Sequence, residues 1–534
     1  MNRNFGIVLT IILLFLNGCN VSNDKTYDAR IQEKEILRPQ AKKSPRINGP
    51  KVAGARPGKA FIYRIPCQGQ RPIKFNVDGL TEGLNLDSDK GIITGTVPTK
   101  KGEYDMIFSS TNDFGKTTRS FKLVVGDKIS LTPPTGWNSW GGQMIFISDE
   151  IVRKTADLFV ERGLADVGFQ YIGIDDCWMK LSPELYANRR DKVVKMFEGF
   201  SYDGVIGDIR DSIGNIIPNE SFPDMKAMTD YVHSYGLKAG IYSSPGVTTC
   251  QDYAGSSGYQ EQDAQQYARW GFDLLKYDLC GGREDLKAIR VDNPDYAQRE
   301  YWKPMTEYLR QQERDILFNL CQYGREEPWT WAPKLGIESW RIGGDLNHNV
   351  NDYFNQALRI AKDLRQYSGP GHWNDPDFMY IHKLRDVKQK VNPSKEITLT
   401  TNQRYQYVSL WSIICAPFFF SSDILEMDDF TIGLMTNADI LNINQDELTH
   451  VAEVIRENEN ETVMVKKLAD GSKVLALFNR NAQKESVIKV PWSEVSEKRN
   501  LKVYDVWRQK ELGLFKDEIL VKLSPDGVGL FILK

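Results

Sequence analysis

The chain has 534 residues, more than a single core usually supports, so two or three domains are expected. Its 68 basic and 71 acidic residues leave a formal charge of −3 with no dense lysine or arginine block, which excludes a phosphate-tracking nucleic-acid partner. Five histidines and seven cysteines carry no CxxC or HxxxH spacing, so neither a metal site nor a cofactor is expected.

Residues 1–19 form the first element. Arg3 precedes a mostly apolar run from Phe5 to Leu16, too short to span a bilayer, and Asn17-Gly18-Cys19 follows. The run resembles a bacterial lipoprotein signal with Cys19 as the lipidated first residue of the mature chain; an ordinary cleaved signal is the alternative. Either places the protein outside the cytoplasm, and the first makes it a lipoprotein held to a membrane by its lipid alone, in the periplasm or at the cell surface. Residues 20–50 are polar and dotted with proline and read as a tether. Residues 51–128 turn to short alternating runs such as Ala60-Phe61-Ile62-Tyr63-Arg64-Ile65, broken by Gly and Asp/Asn turns, which predicts a small β-sandwich. This stretch resembles the immunoglobulin-like modules of secreted bacterial enzymes, which more often brace or space a catalytic domain than bind sugar.

Over residues 129–447 the pattern is strand, then helix, repeated. Strands are predicted at Thr135–Trp140, Tyr171–Asp175, Leu237–Tyr242, Leu274–Asp278, Ile316–Leu320, Ser339–Ile342, His372–Asp375 and Pro417–Ser421. Amphipathic helices fall between them, at Asp149–Asp166, Gln262–Trp270, Ala297–Arg314, Asn351–Gln366 and Gln403–Ile414. Eight such units predict an α/β fold, a (β/α)8 TIM barrel, with an insertion between Lys180 and Pro223. Residues 448–534 return to strands, a C-terminal antiparallel β-domain.

Several predicted strands end in carboxylates close to tryptophans, the equipment for cleaving a glycosidic bond, which needs one group to protonate the leaving oxygen and another to attack. Asp278 ends a buried apolar strand, with Lys276 two residues earlier on the same face; it suits a nucleophile ionised by that lysine, or equally a structural ion pair at a barrel rim. Asp345, after two glycines, suits the acid/base, or caps the helix beginning near Asn351. Asp175 and Asp176 can accept from sugar hydroxyls or cap a helix. Trp137, Trp178 and Trp373 offer faces to a pyranose or fill the core.

Taken jointly, Thr135-Gly136-Trp137-Asn138-Ser139-Trp140, Ile174-Asp175-Asp176-Cys177-Trp178, Gly236 to Tyr242, Trp270 to Asp278, Trp373-Asn374-Asp375-Pro376-Asp377 and Asn442 to Asp446 stand in the order seen in glycoside hydrolase family 27, and the chain resembles its α-galactosidases. The resemblance implies a retaining exo-glycosidase that releases terminal α-linked galactose through a glycosyl-aspartate, with Asp278 as nucleophile and Asp345 as acid/base. Their carboxyl groups would lie about 5 to 5.5 Å apart, and Asp345 would keep its proton nearer neutrality. It further implies sugar contacts at Trp137, Asp175, Asp176, Lys276 and Arg341, with Gln322, Trp178 and Asp377 completing the substrate-binding set, and a disulfide between Cys250 and Cys280. Cys67, Cys177, Cys321 and Cys415 then read as free, buried thiols. Where the family usually has Cys-Glu-Trp this chain has Cys321-Gln322-Tyr323, which puts recognition at C2 in question. A β-L-arabinopyranosidase of the same family is the nearest rival, and a non-catalytic sugar-binding lipoprotein the next.

Overall fold

The computed structural model describes residues 26–188, 200–294, 297–346, 349–385, 394–395, 398–496 and 498–534; the signal run and Cys19 lie outside the described residues. Eight short strands, nearly every residue of them buried, form the centre: β1 Thr135–Asn138, β2 Tyr171–Gly173, β3 Lys238–Ser243, β4 Leu274–Asp278, β5 Leu317–Cys321, β6 Ser339–Arg341, β7 Trp373–Asp375 and β8 Phe418–Phe420. Burial on both faces is why they read as apolar runs rather than alternating ones. All eight are parallel and pair in the order 7-6-5-4-3-2-1-8. The cylinder closes just beyond β7, where Met379 donates its N–H to Phe419 O at 2.8 Å and accepts from Ser421 N–H at 3.0 Å.

The outer helices follow capping chemistry. Ser148 Oγ accepts from Ile151 N–H to start the helix Asp149–Glu161, and Thr400 with Gln403 forms a reciprocal capping box for Thr401–Ile413. The first of these was expected to run to Asp166. It stops at Glu161 instead, because Gly163 takes φ +78°, and a separate turn, Leu164–Val167, follows. The expected helix Asn351–Gln366 is α-helical only over Val350–Arg359 and widens to a π-turn at Ile360–Leu364.

A four-stranded and a three-stranded sheet enclose the N-terminal module's core around Tyr63, Phe108 and Phe121. The module sits beneath the barrel floor. Arg56 pairs with Asp315 at 3.0 Å and with Glu338 at 2.7 Å, and Arg64 donates to Tyr235 O; all three partners lie just before β5, β6 and β3, at the end opposite the strand C-termini. The C-terminal domain is a sandwich of a six-stranded antiparallel sheet and a smaller sheet.

From residue 26 onward the stretch read as a tether is fixed in place. Tyr27–Asp28 pairs parallel with Glu518–Leu523 of the C-terminal sandwich, Ala29 is buried in that core, and Tyr27 Oη donates to Asp505 at 2.7 Å. Farther along, Lys34 N–H donates to Thr401 Oγ1, Leu37 N–H to Tyr405 Oη, and Arg38 to Gly433 O. The segment lacks apolar periodicity because its anchors are scattered: main-chain hydrogen bonds and single side chains such as Tyr27, Ala29, Leu37 and Ile47, set against different cores, with no continuous apolar face.

Candidate active site

The polar residues named from the sequence gather at the C-terminal ends of the strands, where a (β/α)8 barrel keeps its reactive groups. Two-residue periodicity along β4 sends Lys276 and Asp278 to one face. Lys276 was expected to favour the ionised form of Asp278. Its ammonium instead lies 2.8 Å from Asp175 Oδ2, with the rings of Tyr242 and Phe378 at 5.1 and 5.0 Å. Burial opposes that charge, yet Asp175, with help from Asp278, holds the Lys276 pKa above its ordinary value. Lys276 therefore acts on Asp278 at a distance.

Asp175 is fully engaged: Asn138 Nδ2 donates to Oδ2 at 2.7 Å and Asp176 N–H donates to Oδ1 at 2.9 Å. Asp176 accepts from Cys177 N–H at 2.7 Å and from Gln251 N–H at 3.0 Å, while burial pushes its pKa up to about 7. An acid poised there can donate to a sugar hydroxyl as well as accept from one.

Asp278 is buried, and burial raises its pKa from the ordinary value; Lys276 and a hydroxyl from Tyr323 pull it down, while Asp175 and Asp345 push it further up. Tyr323 Oη donates to Asp278 Oδ1 at 2.7 Å. Cys250 and Cys280 are disulfide-bonded, their Cα atoms 4.8 Å apart, and their sulfurs lie 4.0 and 3.5 Å from the Asp278 oxygens. Cys250, Asp278 and Cys280 cluster as metal ligands would, but the two sulfurs are spent on each other. Cys67, Cys177, Cys321 and Cys415 are free and buried.

Across the rim, Arg341 is almost sealed and bridges two carboxylates, Asp377 at 3.0 Å and Asp345 at 3.1 Å. Asp377 also accepts from Leu346 N–H at 2.7 Å and Phe378 N–H at 2.8 Å; burial outweighs the arginine and lifts its pKa to about 7. Asp345 differs from the rest in being open to solvent, with 71 % of its side chain exposed. Gln322 is wholly buried, and neither its Oε1 nor its Nε2 has a hydrogen-bond partner among the described residues.

The tryptophans sort differently from expectation. Trp178 is sealed, with its Nε1–H on Tyr242 O at 2.8 Å and its ring edge-on to Trp270 and Tyr267 of the helix Gln260–Trp270, so it packs the barrel wall against that helix and presents no sugar platform. Trp137 is equally sealed, donating to Ser422 O, and Trp373 is tied to Ser130 O. The half-buried ring at the exit of β1 belongs to Trp140, whose N–H is held by Asn138 Oδ1 at 2.9 Å. Tryptophan content could not separate the two rings; position could, since Trp140 lies past the strand end and Trp137 within it. Tyr323 carried no periodicity signal and was visible only as a departure from the family's usual residue.

Comparison with known proteins gives the same reading of the backbone. The model for alpha galactosidase A matches residues 141–199 and 200–446, that for the alpha galactosidase C-terminal beta sandwich domain matches 459–533, and a provisional Ig-domain model matches 44–126. The chain belongs to glycoside hydrolase family 27. It is 33 % identical to the α-galactosidase of Cyamopsis tetragonoloba over 77 % of this chain and 88 % of that one. Two crystal structures from Bacteroides fragilis, provisionally assigned as α-galactosidases, superpose with TM-scores of 0.79. They are 33 and 31 % identical, cover 93 and 94 % of this chain, and are themselves covered to 99 %.

Proposed function

We propose that the protein is an exported retaining α-galactosidase that releases terminal galactose from oligosaccharides or polysaccharide side chains. What carries the reading is the pair of unlike carboxylates on one rim: Asp278 buried and Asp345 exposed, close enough that the charge on Asp345 raises the Asp278 pKa. Asp278 attacks the anomeric carbon while Asp345 passes its proton to the departing oxygen, giving a galactosyl-aspartate and a free aglycone. Asp345, now a carboxylate, takes a proton from water as that water attacks the same carbon, and the electron pair of the ester bond returns to Asp278. Arg341 keeps Asp345 on the rim, and the chain Asn138–Asp175–Lys276 fixes the wall beside the nucleophile. Retention of both Asp175 and Asp176 favours galactose, with its C5 hydroxymethyl, over a β-L-arabinopyranoside. Trp140 replaces Trp137 and Trp178 as the aromatic face for the sugar.

Asp278→Gly tests this. Turnover of an aryl α-galactoside should vanish and return with azide as a galactosyl azide of inverted configuration; wild-type kcat, or inverted galactose as the first product of the unaltered enzyme, refutes it. For location, we propose lipidation at Cys19, so that Cys19→Ala moves the protein from membranes to a soluble fraction; unchanged membrane partition refutes it.

A further inference from the structure

We infer that Tyr323 positions the attacking carboxylate and assists the second half of the reaction, a role that rests on Asp278 being the nucleophile. Tyr323 holds φ +65°, a left-handed backbone that costs a bulky residue and persists only where the surroundings impose it. Its ring is flanked by the guanidinium groups of Arg283 at 4.9 Å and Arg341 at 6.0 Å, and its Oη reaches Asp278 Oδ1 at 2.7 Å. Burial, with Cys321 and Asp278 nearby, holds the phenol proton on, so Tyr323 is a donor and does not compete as a base.

The contact divides the two carboxylate oxygens. Oδ1 is tied to Tyr323, while Oδ2 receives no N–H or O–H from a described residue and is the oxygen free to bond carbon. In the galactosyl-enzyme the negative charge has left Asp278 and the hydrogen bond is weak. When water attacks and the C1–Oδ2 bond breaks, the charge returns and the hydrogen bond strengthens, lowering the barrier to release. Removing the hydroxyl therefore slows release more than attack.

The test is Tyr323→Phe with an aryl α-galactoside of good leaving group. Expected are a kcat about tenfold lower or less, a KM that falls with it as galactosyl-enzyme accumulates, and an acid limb of kcat/KM displaced to higher pH, because Asp278 has lost a partner of its ionised form. Should the phenylalanine variant fail to fold, 3-fluorotyrosine at position 323 keeps the shape with a more acidic hydroxyl and should move the acid limb the other way. An unmoved limb with wild-type kcat, or a fall in kcat at constant KM and unmoved limb, overturns the role. Trapping the unaltered enzyme with a fluorinated galactosyl donor separates the two readings: label on Asp278 with an unmoved Tyr323→Phe profile overturns Tyr323 alone, and label on another carboxylate overturns both.

Discussion

Replacing Gln322 by leucine should make the protein more stable and a poorer enzyme. The side chain is wholly buried, and both ends of its amide lack partners among the described residues. A buried polar group left unpaired costs about 1 to 3 kcal/mol, and leucine of similar volume removes that cost without opening a cavity. Stability should therefore rise by about 1 to 3 kcal/mol, read as a higher urea midpoint at unchanged slope. If the 2-hydroxyl of galactose is the partner the amide lacks, the same change should lower kcat/KM for α-galactosides by about 1 to 3 kcal/mol, roughly 5- to 150-fold. Opposite signs on the two measurements are the signature of a polar group kept for its ligand. An unchanged midpoint would show that the amide is already satisfied, and an unchanged kcat/KM that the sugar never reaches it; either result breaks the argument.

Asp176 has its pKa lifted by burial from an ordinary 3.8 to about 7, so between those values the folded state holds a proton the unfolded state has released, and stability falls as pH rises through the window. Asp176→Asn should flatten the decline in melting temperature from pH 4 to 7, and equal slopes in variant and wild type would refute it. Trp140→Ala should lower kcat/KM by about 0.5 to 1.5 kcal/mol with little change in melting, whereas Trp137→Ala should cost about 3 to 5 kcal/mol of stability; the reverse pattern would return Trp137 to the sugar. Arg56→Ala strips the buried Glu338 of its cation and should cost about 3 to 5 kcal/mol in thermal or urea unfolding while leaving kcat/KM alone, since the pair lies at the barrel's far end. A loss of activity with intact stability would contradict that separation.

The eight barrel strands were legible to within a residue or two because parallel strands covered on both faces must be continuously apolar, and the carboxylates at their ends break that run visibly. The break at Gly163 was not, since a glycine inside an amphipathic pattern does not announce a left-handed turn. Which of Trp137 and Trp140 faces the pocket depends on where β1 ends. Lys276 lies on the face of Asp278 as its spacing implied, but its partner Asp175 lies just past β2, 101 residues away in sequence, a distance no local pattern spans. The stretch before Pro50 misled because hydrogen bonding of the main chain to a distant domain leaves no imprint on side-chain composition.

That early stretch has a mechanical role in the sandwich it meets. Tyr27–Asp28 lies along Glu518–Leu523 at the margin of the smaller sheet and covers main-chain donors and acceptors that would otherwise line an open edge. A chain shortened past Ala29 would bare that margin, and its first symptom should be self-association rather than loss of chemistry.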